Sequence, residues 1–259
     1  MNRTALLRIV LLASLTAMPG MSLASEDAWH FGIGTGIFAL NVEGDSGFNT
    51  LAGPVESEFD ADFDDILDLA DTAVGITGFA QKGKWTIDYA FSILEVSGDN
   101  SGVISATGVP FRSSVSFDAT AALVGLGYQL IKNDRHNLQA RAGLRYTNHD
   151  IEFKITAGPA NVAKNIDEDW VDGYVGLTYQ MRLAPNWYWT TKADVGAGGS
   201  DLSTTINTGV AWHFTDAWVT SLYGNYYSVD FENGSKGDSD WYEYDADEFG
   251  VGLGITYLW

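Results

Sequence analysis

The chain has 259 residues, no cysteine, 29 glycines and nine tryptophans, with 14 Lys+Arg against 34 Asp+Glu for a formal net charge of −20. The absence of cysteine excludes disulfide scaffolds, thiolate metal sites and thiol nucleophiles, and the acidic balance excludes a nucleic-acid binder, which needs clustered Lys and Arg. A content of 46% hydrophobic and 13% aromatic residues excludes a disordered chain.

In chain order, Met1–Arg8 carries Arg3 and Arg8 and no acid, Ile9–Met18 is a short apolar run, and Pro19 and Gly20 break it. Ser22 and Ala24 are small residues at −3 and −1 of a cut after Ala24. This is the layout of a secretory signal peptide over residues 1–24, leaving a single domain over 25–259. The run is too short for a spanning helix, which needs about 20 residues. Losing Arg3 and Arg8 leaves 12 basic residues against 34 acidic ones, a net charge of −22.

From Trp29 on, side chains alternate with period 2, the periodicity of strands. In Lys84–Val96 one face holds Trp85, Ile87, Tyr89, Phe91 and Ile93, and the other Lys84, Thr86, Asp88 and Ser92. Similar alternation recurs through Leu138–His149, Val171–Leu183, Trp187–Ala197, Ile206–Phe214 and Phe249–Trp259. The polar faces carry charge at mid-strand and the apolar faces end in rings, as in a transmembrane barrel. Short connections alternate with long polar ones: Glu43–Asp71, Gly98–Ser113, Glu152–Asp169 and Asp230–Asp245. The expected architecture is all-β, an antiparallel up-and-down transmembrane β-barrel with short periplasmic turns and long extracellular loops. Ten strands are expected, near 29–42, 72–82, 85–97, 114–131, 138–151, 170–183, 187–198, 204–214, 218–230 and 247–259, with eight or twelve as alternatives.

The last strand, Phe249–Trp259, ends with Gly254, Tyr257 and Trp259. It resembles the C-terminal insertion signal of outer-membrane barrels, with Trp259 where Phe is commoner. The chain thus resembles small bacterial outer-membrane β-barrel proteins over Trp29–Trp259. The resemblance implies residence in the outer membrane after cleavage near Ala24. It also implies contact with outer-membrane lipids and lipopolysaccharide, and delivery by the barrel insertion machinery through the final strand.

Four sets of residues are candidates for function. Asp88, Arg141, Arg145, Asp172, Arg182, Lys192 and Asp194 fall on inward faces, where they read as a salt-bridged lumen or as the lining of a narrow pore. Asp60, Asp62, Asp64, Asp68 and Asp71 have the spacing of a calcium loop, but Asp65 stands where the turn needs Gly. The apolar positions Phe59, Phe63, Ile66, Leu67 and Ala70 in the same stretch are spaced like one face of a short helix capping the barrel mouth. Trp29, Trp85, Trp187, Trp189, Trp212, Trp218, Tyr257 and Trp259 read as an interfacial belt at the short-turn end. His149 is a rim residue that would need Asp172 or Asp88 from another strand to act as a base. These readings give a structural or surface-interaction barrel with acidic loops. A narrow pore for small solutes is the alternative and an outer-rim enzyme on surface lipid or peptide the second. No catalytic residue and no cofactor is assigned, a divalent cation apart, and no nucleic-acid partner is expected.

Overall fold

The computed structural model describes residues 28–50, 53–103, 110–158 and 160–259, so the export segment lies outside the described residues. The elements are β1 (His30–Thr50), β2 (Gly53–Ala61), α1 (Phe63–Leu69), β3 (Ala70–Lys82), β4 (Trp85–Val103), β5 (Pro110–Lys132), β6 (His136–Ala157), β7 (Ala160–Ala184), β8 (Trp187–Gly198), β9 (Leu202–His213), β10 (Trp218–Asn233) and β11 (Tyr242–Leu258). From β3 each strand pairs antiparallel with the next, and β11 returns to β1. The result is a closed all-β barrel. Among the described residues ten strands form the ring, each overlapping one of the ten expected segments and several running well past it. The eleventh, β2, lies against the far part of β1, pairing Val42–Thr50 with Ala61–Gly53.

Period 2 explains which residues face out. Ile87, Val124, Leu144, Val175, Leu222, Val251 and Leu253 are exposed, Val251 at 60%. A band of this composition is suited to hydrocarbon. Closure pairs the backbone along the strands, which lipid itself cannot do, except on the β3 side of β1 between Gly34 and Val42. At the short-turn end every belt residue named above is exposed. Several stack across the β1–β11 join: Trp29 on Phe31 (5.9 Å), Phe31 on Trp259 (5.6 Å), Trp259 on Tyr257 (5.7 Å) and Tyr257 against Trp218 (4.9 Å). Gly83, at φ +57°, makes the tight β3–β4 turn, a conformation costly for a residue with a Cβ.

The opposite end corrects one expectation. The long polar connections are largely strand: β6 runs to Ala157 and β7 starts at Ala160, paired down to Ala157↔Ala160. Antiparallel ladders extend past the apolar band because hairpin partners satisfy each other's backbone without lipid or core. The wall is uneven. β8 and β9 have 12 residues each, whereas β7 has 25. Beyond Asp172↔Gly198, the Ala160–Val171 part of β7 continues for about 40 Å along the strand at ~3.3 Å per residue.

The join between β1 and β3 is also uneven. Its ladder runs from His30↔Gln81 to Gly34↔Thr77 and stops. One further tie, Thr35 Oγ1 donating to the Gly75 carbonyl (2.7 Å), lies just above. Beyond it β3 pairs with β4 alone, and α1 stands beside the parted strands. As expected for a capping helix, α1 enters the mouth and buries Ile66 against Phe38, Leu40, Leu94 and Tyr223. Asp62 is its N-cap, accepting from the Asp64 and Asp65 N–H groups, and the Phe63 N–H donates to Asn41 Oδ1 (3.0 Å), tying the helix to β1.

Candidate functional site

Inward residues of β4, β6, β7 and β8 meet at mid-barrel. Arg141 Nη2 donates to Asp88 Oδ2 (2.5 Å), and its Nη1 lies 3.8 Å from Asp194 Oδ2. Arg145 Nη2 donates to Asp194 Oδ1 (2.6 Å) and Thr205 Oγ1 (2.8 Å), and Nη1 to Ser203 Oγ (3.0 Å). All four charged residues are buried. Burial of a charge demands a partner, and alternate Arg and Asp around the bore provide it.

Tyr174 sits between the two arginines, its ring 5.5 Å from the Arg141 guanidinium and 5.4 Å from that of Arg145. Cross-strand glycines make its place. Gly125 faces Gly143, which faces Tyr174, and a Cβ on Gly143 would lie 2.7 Å from the tyrosine oxygen. Tyr174 lies in the alternating segment Val171–Leu183 and was given no role from sequence. The signal was there: two inward glycines in register with one large ring.

The other lumen candidates divide. Asp172 is fully buried, but it joins through hydroxyls. Its carboxylate accepts from the Ser200 N–H (2.9 Å), Ser200 Oγ (2.6 Å) and Ser203 Oγ (2.8 Å), and Ser203 links it to Arg145. It thereby fastens the short β8–β9 connection to β7. Arg182 is a correction: it lies near the short turns, donates to the Pro185 carbonyl (2.9 Å) and covers Tyr188, away from the cluster. β7 is long enough for its inward residues to belong to different levels. Lys192 is inward and buried at 8% exposure, yet makes no hydrogen bond or ion pair among the described residues.

Above this layer the lumen is apolar, which also departs from the polar interior expected. Phe38, Leu40, Ile66, Leu94 and Phe117 line a cavity of about 460 Å³, floored by Asp88, Arg141, Arg145, Lys192 and Asp194. A second cluster of Ile166, Trp170, Val229, Phe231, Tyr242 and Tyr244 lids the mouth, with Trp170 stacked on Phe231 at 4.1 Å. His149 lies under that lid. Its Nδ1 is 3.1 Å from the Tyr242 hydroxyl, and Phe117, Trp170 and Tyr244 surround the ring. The carboxylates that could have served it are engaged elsewhere, Asp88 with Arg141 and Asp172 with serines.

The calcium spacing does not become a calcium loop. Asp60 is on β2, Asp62 caps α1, Asp64 is in the first helical turn, and Asp71 on β3 accepts from Ser97 Oγ; nothing is described of the Asp68 side chain. A coordinating loop must curl around one ion, and here the stretch is drawn out as strand, helix and strand. Among the described residues no three acidic or imidazole groups converge as metal ligands. The acids instead face each other across strands at the far rim: Glu95↔Asp118, Asp118↔Asp150, Asp150↔Asp167, Asp230↔Asp245 and Glu232↔Glu243.

Comparison with known proteins agrees with this architecture. The outer-membrane protease OmpT of Escherichia coli is similar in fold, with a TM-score of 0.55 at 11% identity over 92% of this chain and 99% of that one. The translocator domain of the autotransporter NalP from Neisseria meningitidis gives 0.46 at 14% identity, over 92% and 90% of the two chains. The Ail protein of Yersinia pestis gives 0.33 at 10% identity, over 89% and 99%. At 11% identity the likeness to OmpT is one of fold alone. No curated protein is similar in sequence. A family model, DUF481, described as a protein of unknown function, matches residues 114–246, from β5 into β11 and just over half of the chain. The chain belongs to the DUF481 family, whose matched region here carries five of the six inward charged residues of the mid-barrel layer.

Proposed function

We propose that the protein resides in the bacterial outer membrane as a closed barrel that acts through its outward surface rather than by passing solutes. The observation that carries this reading is the buried Asp88–Arg141–Asp194–Arg145 chain across the bore. The aromatic lid above it is a second barrier. Opening a path would require breaking buried ion pairs, each break leaving an uncompensated charge. Purified protein reconstituted in planar bilayers is expected to give no discrete conductance steps. Uniform steps in the wild type would establish the narrow-pore reading instead.

The far rim supports surface contact through divalent cations. Like charges directly opposite on paired strands are destabilising. Burial first, and then the facing carboxylates, push the carboxyls of Asp118, Asp230 and Glu243 upward. Their contribution to stability is therefore present at low pH and lost as pH rises through the raised values. At neutral pH the rim is left charged and repelling itself, ready to share Mg²⁺ or Ca²⁺ with anionic lipopolysaccharide. Millimolar Mg²⁺ is expected to raise the thermal unfolding temperature more than NaCl of equal ionic strength. An identical response to the two salts would remove the cation-bridged contact.

A further inference from the structure

The apolar upper lumen has one feature that packing does not explain. Lys192 points its ammonium into that cavity's floor, buried and without a hydrogen bond or ion pair. The floor's two aspartates are already shared between Arg141 and Arg145, so the third cation is in excess. A buried ammonium without an anion is costly. Of the two other wall carboxylates, Asp65 is on α1 and exposed to solvent, and Glu248 accepts from Tyr244, with Arg145 as its electrostatic partner. Beside Lys192, across the β8–β9 ladder, Asn207 has a buried Oδ1 with no partner, while its Nδ2 donates to Asn225 Oδ1 (3.4 Å). In this orientation Asn207 turns an acceptor toward the Lys192 side; with both amides turned over, the mutual bond is kept and an N–H faces the cavity. The floor thus holds a buried ammonium with no anion of its own, beside an amide able to turn an N–H toward a ligand.

The walls define the rest of such a ligand. Phe38, Leu40, Ile66 and Leu94 are apolar and offer an alkyl chain no polar partner. About 460 Å³ lies within the usual range of about 300–1,000 Å³ for small-molecule sites. Access is sideways. The mouth is lidded, but the β1–β3 ladder ends after Gly34↔Thr77. The unpaired stretch of β1 is level with the outward Phe249, Val251 and Leu253 of β11, so the parting lies in the apolar band on its rim side. On β1, Phe31 exchanges backbone hydrogen bonds with Trp259, which directs the peptide N–H and C=O groups of the odd residues to β11 and those of the even ones, Phe38 and Leu40 included, into the parting, while the even side chains point into the barrel. These two side chains line the cavity, as does Ile66 of the helix beside the parting.

We infer that the cavity is a binding site for a single-chain carboxylic acid of the fatty-acid class. The alkyl chain lies along Phe38, Leu40, Ile66 and Leu94, the carboxylate meets Lys192 and Asn207, and entry is from the rim-side leaflet between β1 and β3.

The test uses the full barrel in lipid nanodiscs, with dodecanoate as probe and dodecanol as its uncharged control. Dodecanoate is expected to bind saturably at one site and more tightly than dodecanol. Lys192→Met is expected to weaken dodecanoate by at least about tenfold, the loss of one charge-assisted contact, and to leave dodecanol unchanged. Ser92→Trp, which fills the cavity from the β4 wall, is expected to abolish both. Heat-modifiable migration checks that each variant is folded, and Lys192→Arg, which keeps the charge, is expected to retain binding. A diazirine-bearing dodecanoate should cross-link at equilibrium to Phe38, Leu40, Ile66 or Leu94. Early in loading, cross-links on outward Ile37 and Val74 mark entry from lipid, whereas cross-links on Tyr242 and Tyr244 would overturn the lateral route. Equal binding of dodecanoate to the wild type and Lys192→Met, or cross-links on outward residues alone at equilibrium, would overturn the site. Neither result depends on whether the barrel conducts.

Discussion

Arg141→Ala is expected to destabilise the barrel by about 3–5 kcal/mol, the usual cost of breaking a buried pair from one side. The substitution removes the ion-pair partner of Asp88 in a lumen where it is nearly excluded from solvent, leaving it the longer-range attraction of Lys192. It also removes one of the two guanidiniums flanking Tyr174, so the ring that spans the bore loses a support. Asp194 remains paired with Arg145, which limits the loss. Replacing both partners, Asp88→Asn with Arg141→Met, is expected to recover most of the stability, because neither charge is then buried alone. Urea titration followed by tryptophan fluorescence in detergent measures both. A single-variant loss below about 1 kcal/mol would mean that water reaches Asp88 and that the layer does not seal the bore.

Gly250→Val is expected to prevent the folded, heat-modifiable form from accumulating at all. Gly250 is inward on β11, between Leu40 of β1 and Asn225 of β10. A Cβ there would run into the Ala39 carbonyl oxygen and the Phe38 ring. The carbonyl belongs to the paired backbone and cannot swing aside as a flexible side chain could. Overpacking of an ordinary core costs about 1–3 kcal/mol, and here the strain falls on the ladder that closes the ring. Gly173→Ala is the matched control, since its nearest neighbour would be the Ala197 oxygen at 3.9 Å. Gel migration with and without boiling separates the two outcomes.

The ring itself was legible because its determinants are local. Alternation over ten residues specifies which face meets lipid, whatever the rest of the chain does, and the belt of Trp29, Trp85, Trp187 and Trp212 marks where strands turn. The charged layer was partly legible for the same reason: parity puts Asp88, Arg141, Arg145, Lys192 and Asp194 inside. Parity says nothing of height, however. Arg182 shares a face with Asp172 and Tyr174 yet stands at another level, beside Pro185. The apolar upper lumen was hidden in strands that carry apolar residues on both parities. In Trp218–Asp230, Leu222 and Tyr226 face out while Val219, Tyr223 and Val229 are buried within. Period 2 alone cannot tell a lipid-facing side from an apolar cavity. The rim strands were hidden because hairpins beyond the membrane need neither an apolar face nor a charged one, so Glu152–Asp169 carries no pattern that distinguishes strand from loop.

The unequal joints of β1 bear on how the ring assembles in time. With its sequence neighbour β3 this strand shares a ladder that ends at Gly34↔Thr77, while with β11 it is paired from Gly32↔Leu258 to Phe48↔Tyr242. Most of what holds β1 is therefore more than 190 residues away along the chain. Contacts of such separation form late and slowly, since loop closure must precede their gain. β1 would wait, held by β2 and a few pairs to β3, until β11 arrives. Closure would then be the slow step, and the stacked rings from Trp29 to Trp218 would form only with it.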